Sequence, residues 1–380
     1  MKPIYMDYAA TSPVHEEVIS VMSDSYRTLF GNPSSIHSFG REARKHIDDA
    51  RRNVAKYIHG DEREIIFTSG GTEADNLAII GTALANRHKG NHIITTKQEH
   101  HAVLHAANHL ETLGFEVTYL NVNDQGLVDL EQLKNTLTKE TILVSIMYVN
   151  NETGVIQPIE AIGELLKESE IIFHTDAVQA LGLLPIDVKN MHIDLLSASG
   201  HKINGPKGSG FLYVKEEIMI NPLLFGGEQE KRRRPGTESV TQIIGLEKAV
   251  ELAVEYKEER NREYSLLKES FLNKLKKEEI DFNINGAVAQ TVPTIVNISF
   301  PDIEVEQMLT NLDLEGVAAS SGSACTAGSV EPSHVLVSMY GTDDQRPTNS
   351  IRFSFGYGQT TDMMIESAER IIKIVKRLRN

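Results

Sequence analysis

The chain has 380 residues, of which 53 are acidic and 38 basic, giving a formal charge of −15 at pH 7. With 40% apolar and 24% charged residues, it has the make-up of a packed globular protein of roughly two domains, able to bury about three quarters of its unfolded surface. This excludes a disordered chain, a fibrous repeat and a disulfide-stapled miniprotein, and the acidic balance argues against direct nucleic-acid binding, which needs surplus Lys and Arg.

In chain order, the opening MKPIYMDYAATSP carries Asp7 and no apolar core, so it is not read as a signal peptide. Short β-branched runs then predict strands at 64–68, 92–96, 116–122, 141–150, 171–176, 194–197 and 210–214. Helical stretches are expected between several of them, at 73–86, 101–113, 130–136 and 159–168. This alternation implies βαβ units and a mainly parallel seven-stranded sheet with helices on both faces. Ligands of such sheets sit beyond the carboxyl ends of the strands. Residues 243–278 read as one long helical stretch, with Leu252, Tyr256, Tyr264, Leu267, Phe271 and Leu275 marking its apolar face. Strands at 294–300 and 350–355 and a last helix at 362–378 follow, the helix with Ile365, Ala368, Ile372 and Val375 on one face. The C-terminal third is therefore a smaller α+β unit. No apolar run reaches about 18 residues, so no membrane-spanning helix and a cytoplasmic location are expected.

Three loops carry chemistry. TSGGTEADN (68–76) joins a strand to a helix; Gly70 and Gly71 permit close backbone approach, Thr72 adds a hydroxyl, and the helix N–H groups suit a phosphate. FHTDAVQ (173–179) ends a strand on Asp176, a carboxylate able to pair with a pyridinium nitrogen or to cap a helix. SASGHKINGPKGSG (197–210) holds Lys202 before a Gly-rich turn, flanked by Ser199 and His201, where it can form a Schiff base. Together they meet the phosphate, ring nitrogen and aldehyde of pyridoxal 5′-phosphate. Other groups fit the same site. His100 can stack on a flat ring and move protons. His101, His105 and His109 are i, i+4 neighbours, read as a solvated helix face. Asn151 sits in NNETG. Arg352, alone in an apolar strand, needs either a substrate carboxylate or an internal acid. KRRR (231–234) precedes PGT, where Thr237 can touch phosphate across a dimer interface.

The one cysteine, Cys325, excludes an internal disulfide and a Cys-based zinc site. It lies in SSGSACTAG, a Ser/Gly/Ala segment expected to be mobile and exposed, where a thiol can travel and attack.

The motifs YMDYAATSP, SGGTEADN, EHHAV, NNETG, HTDAVQ, SGHKINGPKG, RRPGTE, SSGSAC and SIRFSFG span nearly the whole chain. In this order they resemble the cysteine desulfurases, pyridoxal-phosphate enzymes of the aspartate-aminotransferase fold (fold type I). The SSGSAC form is similar to the group I branch, tied to iron–sulfur clusters and transfer-RNA thiolation. The resemblance implies that L-cysteine is converted to L-alanine, with Lys202 as the Schiff-base lysine and Asp176 as the pyridinium partner. It implies that Gln179 bonds the ring's phenolic oxygen, with His100 stacked on the ring. Gly71, Thr72, Ser199 and His201 would hold the phosphate, with Thr237 reaching in from a second subunit. Asn151 and Arg352 would bind the substrate carboxylate, with Asn151 also near the cofactor, and Cys325 would take the sulfur as a persulfide. Implied partners are a second copy of the chain and a sulfur acceptor, either a cluster scaffold or a transfer-RNA thiolase. No resident metal is expected beyond transient contact of Cys325 with a cluster. The expected division is a large cofactor-binding domain at 15–255 and a small domain from 1–14 and 256–380, with the Cys loop at about 320–335. Glu228 in GGEQE stands where many relatives have glycine, which puts the shape of that loop in question. The rival readings are a selenocysteine lyase and a non-catalytic sulfur-assembly scaffold.

Overall fold

The computed structural model describes residues 2–322 and 331–380. Its strands begin with β1 (Ile4–Tyr5). The central sheet follows with β2 (Ile65–Thr68), β3 (His92–Thr96), β4 (Glu116–Leu120), β5 (Thr141–Ser145), β6 (Ile172–Asp176), β7 (Leu195–Ser199) and β8 (Gly210–Val214). The last four are β9 (Asn283–Ile284), β10 (Ile295–Ser299), β11 (Val317–Ala318) and β12 (Ser350–Ser354).

The seven central strands lie in the order β2-β8-β7-β6-β5-β3-β4, and only β8 runs against its neighbours. The two-residue period explains why both faces are covered. Ile65, Phe67, Val144, Phe173, Leu196 and Phe211 enter one buried cluster. Their chain neighbours Ile66, Leu143, Ile172, Leu195 and Leu212 enter another. A sheet buried on both sides can offer a ligand only its ends.

The strand expected at 141–150 is regular only to Ser145. Ile146 and Tyr148 still donate backbone N–H bonds to His174 and Asp176, and Asn150 then turns the chain, its Oδ1 accepting from the N–H groups of Glu152 and Thr153. The long helical stretch is two helices, Val240–Glu255 and Lys257–Lys277, broken at Tyr256. Tyr256, expected on the apolar face, is exposed at that break. In the last helix (Thr361–Leu378) the buried stripe runs through Met364, Ala368, Ile371, Ile372 and Val375; Ile365 lies at its edge and is 39% exposed.

A third core forms around β10 and β12, where Phe271, Phe300, Phe353 and Phe355 pack with Ile4 and Met6 of the N-terminal segment. The start of the chain belongs there because β1 pairs in parallel with β11. None of the described helices is long and apolar enough to cross a membrane. Phe271 is fully buried, its ring centroid 5.1 Å from that of Phe353. Phe271→Ala is expected to lower the unfolding free energy by about 3–5 kcal/mol, read from the denaturant midpoint.

Candidate active site

A cavity of about 240 Å³ opens at the carboxyl ends of the central strands. Gly71 and Thr72 follow β2, His100 follows β3, Asn151 follows β5, and Asp176 ends β6. Ser199, His201 and Lys202 come from the end of β7, and Arg352 comes from β12 of the third core. Gln179 also lines it. Thr237 is exposed and outside this wall. Cys325 lies outside the described residues, and so does the mobility expected of its segment.

Gly70 has φ +145°, a conformation that disfavours a side chain, and a Cβ on Gly71 would meet Val178 Cγ2 at 2.8 Å. The helix beginning at Gly71 thus turns its first N–H groups toward the cavity end. Glu73 ties this turn down: it accepts from Ser69 N–H at 2.7 Å and from Arg234 Nε at 2.7 Å. The basic run is therefore largely internally paired. Arg234 serves Glu73, Arg232 meets Glu228, and Lys231 donates to the Arg63 carbonyl. The loop around Glu228 does take an unusual shape, with Glu230, Lys231 and Arg232 at φ 45°, 56° and 64°. A buried two-point contact between Glu230 and Arg51, at 2.6 and 2.7 Å, holds it.

Lys202 Nζ donates to the carbonyls of Ala9 and Ala10 at 2.5 and 2.9 Å. Gln179 Nε2 also donates to Ala9, at 3.0 Å, and His201 Nδ1 meets Thr11 Oγ1 at 3.3 Å. Asp176 is buried, which pushes its carboxyl above the usual range against the pull of Lys202; one oxygen accepts from Val178 N–H at 2.9 Å. His100 caps its helix, Nδ1 accepting from Ala102 N–H at 3.1 Å. Burial and the nearby Lys202 push its imidazole down to about 4, so it is neutral with its proton on Nε2. Arg352 is 1% exposed and has the internal acid that its position called for. Nη2 pairs with Asp7 Oδ1 at 2.9 Å and Nη1 donates to the Asn151 carbonyl at 2.9 Å, while Nε is buried without a hydrogen-bond partner among the described residues.

Several groups of this site carry no motif of their own. Asp75, three residues after Thr72 and so on the same helix face, lines the cavity with Oδ1 unpartnered. Its carboxyl is raised by burial and by Asp176. His174, two residues before Asp176 on β6, lies between Ser145 Oγ and Ser197 Oγ at 2.8 and 3.0 Å, 3.7 Å from Asp75. Glu99 is fully buried and pushed up to about 8 by desolvation, accepting from Thr96 Oγ1 and Met147 N–H. A polar residue inside an apolar run was the available signal for His174; Asp75 and Glu99 sit among other polar residues and give none. His101 faces both His105 and His334, with ring centroids 5.3 and 4.7 Å away. Among the described residues no group of three or more His, Cys, Asp or Glu has a metal-holding arrangement.

These residues fit pyridoxal phosphate on this structure's own terms. There is a glycine-lined helix start for the phosphate, a buried acid with one oxygen uncommitted to the backbone for the ring nitrogen, and a lysine beside it for the aldehyde. The aminotransferase class-V family matches residues 4–364. The chain belongs to that family, among its cysteine desulfurases. A Bacillus subtilis relative named putative cysteine desulfurase IscS 1 is 57% identical over all of both chains. The cysteine desulfurase IscS of Dictyoglomus turgidum is 47% identical over all of this chain and 96% of its own. Among solved structures, a NifS-like protein superposes with a TM-score of 0.92 at 34% identity, covering 99% of this chain and 100% of that one. A structure titled SspA in complex with cysteine gives 0.83 at 36%, over 92% and 98%. The fold is that of the type I pyridoxal-phosphate enzymes, and members of the family use this cofactor.

Burial pushes His174 down to about 3, and burial with Lys202 pushes His100 and His201 down to about 4. Below about pH 6.5 the unfolded chain takes up protons that these folded histidines refuse. Their contribution to stability is therefore full above pH 6.5 and lost as pH falls toward 4. In His174→Gln, whose amide can keep both serine contacts, the slope of unfolding free energy against pH in that window is expected to drop by about 1.4 kcal/mol per unit. Urea titrations of both proteins check it.

Proposed function

We propose that this desulfurase runs the conversion of L-cysteine to L-alanine with Lys202, Asp176, His100, Asn151, Arg352 and Cys325, passing the sulfur on for iron–sulfur cluster assembly. The observation that carries the reading is the convergence of Lys202, Asp176 and Arg352 on one cavity from three separate segments. Bound there, pyridoxal phosphate supplies an electron sink for charge developing at the substrate Cα. Arg352 and Asn151 hold the substrate carboxylate, the guanidinium exchanging part of its contact with Asp7 and the Asn151 carbonyl for the incoming anion. Lys202 Nζ takes the Cα proton, and Asp176 holds negative charge opposite the ring nitrogen. His100 presents Nε2–H because its Nδ1 is occupied by the helix cap, which suits it to steady a substrate thiolate. Cys325 Sγ then attacks the substrate sulfur. The S–S bond forms as the Cβ–S bond breaks, Cβ gains a proton to become the methyl of alanine, and Lys202 returns a proton to Cα.

The described residues flanking the Cys segment support this role. Before it, Ser320 pairs through its backbone with Arg352; after it, Ser333 Oγ donates to Glu152 and His334 Nε2 meets the Glu99 carbonyl. Cys325 follows Gly322 by three residues, a reach of about 10 Å. With no second cysteine, a persulfide cannot close to an internal disulfide, so the sulfur leaves to a scaffold protein or a transfer-RNA thiolase. A homodimer fits Thr237 lying outside its own cavity and the exposed side chains of Phe30 (73%), Ile36 (90%) and Phe225 (90%). A division into a large unit at 15–255 and a small one at 1–14 and 256–380 is supported by the separate core around β10 and β12, with Ala9, Val292, Ile295 and Met339 packing across it, and a cytoplasmic setting agrees with the reactive thiol.

Cys325→Ala is expected to lose alanine formation from cysteine by at least about 100-fold while keeping the bound cofactor's absorbance. Undiminished turnover would remove Cys325 from the reaction. Lys202→Ala is expected to lose both turnover and the covalently held cofactor, read by mass spectrometry after borohydride treatment.

A further inference from the structure

A second, smaller cavity of about 50 Å³ adjoins the cofactor cavity and shares Ala9, Val178, Gln179 and Lys202 with it. Its wall contains two cationic side chains, Lys202 and Arg260, and no Asp or Glu. Most of its polar groups are committed. Lys202 donates to Ala9 and Ala10, Ser12 Oγ to the His201 carbonyl, and Tyr8 Oη to the Tyr357 carbonyl.

Arg260 differs. It is 8% exposed, yet it forms no salt bridge and no side-chain hydrogen bond among the described residues. Its nearest favourable contact is the Tyr357 ring, whose centroid lies 5.8 Å from the guanidinium carbon. A guanidinium stays charged in a protein, and a buried charge without a counter-charge is costly. Tyr264, one helical turn on from Arg260 and so on the same face, is 5% exposed, and its hydroxyl has no hydrogen-bond partner among the described residues. Two donors without a protein partner among the described residues therefore face one cavity whose wall carries two cations and no acid.

We propose that this cavity binds a small monovalent anion of halide size, held by the Arg260 guanidinium and the Tyr264 hydroxyl. At about 10–15 Å³ of such volume per water, the space suits a chloride ion with two or three waters and is too small for a phosphate ester or a second substrate molecule. The anion would join three segments at once: the helix Lys257–Lys277, the N-terminal residues Tyr8–Ser12, and the loop that carries Lys202. This goes beyond the desulfurase reading and does not depend on it.

The test uses the holoenzyme. Crystals grown in potassium bromide are expected to show an anomalous peak within hydrogen-bond distance of Arg260, and Arg260→Met is expected to lose it. In solution, replacing potassium gluconate by potassium bromide at constant ionic strength is expected to raise the thermal midpoint of the wild type, because an anion bound only by the folded state stabilises it by mass action. Gluconate is too large to enter. The rise should vanish in Arg260→Met and persist in Arg260→Lys. A wild-type crystal with no bromide at this position overturns the proposal. So does a bromide peak that survives in Arg260→Met, or a bromide-dependent rise of equal size in that variant. Should Arg260→Met fail to fold, the wild-type peak decides alone.

Discussion

Everything about the active cavity depends on the short N-terminal segment that passes between the central sheet and the third core. Its backbone carbonyls at Ala9 and Ala10 receive the Lys202 ammonium, and Ala9 also receives the Gln179 amide. Ser12 bonds the His201 carbonyl and the Asn204 N–H, fixing the lysine loop from below. The same segment sends Asp7 to Arg352, while Ala9 N–H donates to Ser354 Oγ. Lys202 belongs to one sheet and Arg352 to another. What sets their relation is a strap of about eight residues whose peptide groups have no ladder of their own to satisfy. Substrate and cofactor chemistry needs reacting groups held within fractions of an ångström. The strap supplies that constraint largely through backbone carbonyls and N–H groups, which are already fixed and need no side-chain ordering on its own side of the bond.

Behind this strap the site separates charge by burial. Asp75, Asp176 and Glu99 are all buried carboxyls displaced upward, and His100, His174 and His201 are all imidazoles displaced downward. Desolvation displaces both sets toward their neutral forms, but Lys202 and the Val178 N–H work against it at Asp176, so an ammonium and a carboxylate face the cavity from the sheet side. In that setting a cofactor carrying phosphate and a protonated ring meets few competing charges. Arg352 completes the pattern from the other core, its charge matched by Asp7.

The mainly parallel sheet was legible because β-branched runs alternate with helical intervals; the strand order and the reversal of β8 were not, since pairing joins strands distant in the chain. The site loops were legible because their chemistry needs rare residue types at strand ends: paired glycines at 70 and 71, an acid at 176, a lysine at 202. Helix limits were less so. The break at Tyr256 and the exposure of Ile365 turn on which flank of a helix meets a neighbour, and periodicity fixes a stripe only to within a residue or two. Asp75 and His174 escape notice because each looks like an ordinary polar residue inside a motif until burial strips away its water.

By itself, the sequence pointed to the fold class, the family, the cofactor chemistry and ten of the residues that line one cavity, through residue types at strand ends and the resemblance its motifs carry. Only the tertiary structure decided how those side chains are held. It pairs Arg352 with Asp7 across 345 positions, fixes the His100 tautomer through a helix cap, and buries Arg260 beside a cavity without an acid. Each of these turns on distance and desolvation between segments far apart in the chain, and neither quantity is written in local pattern.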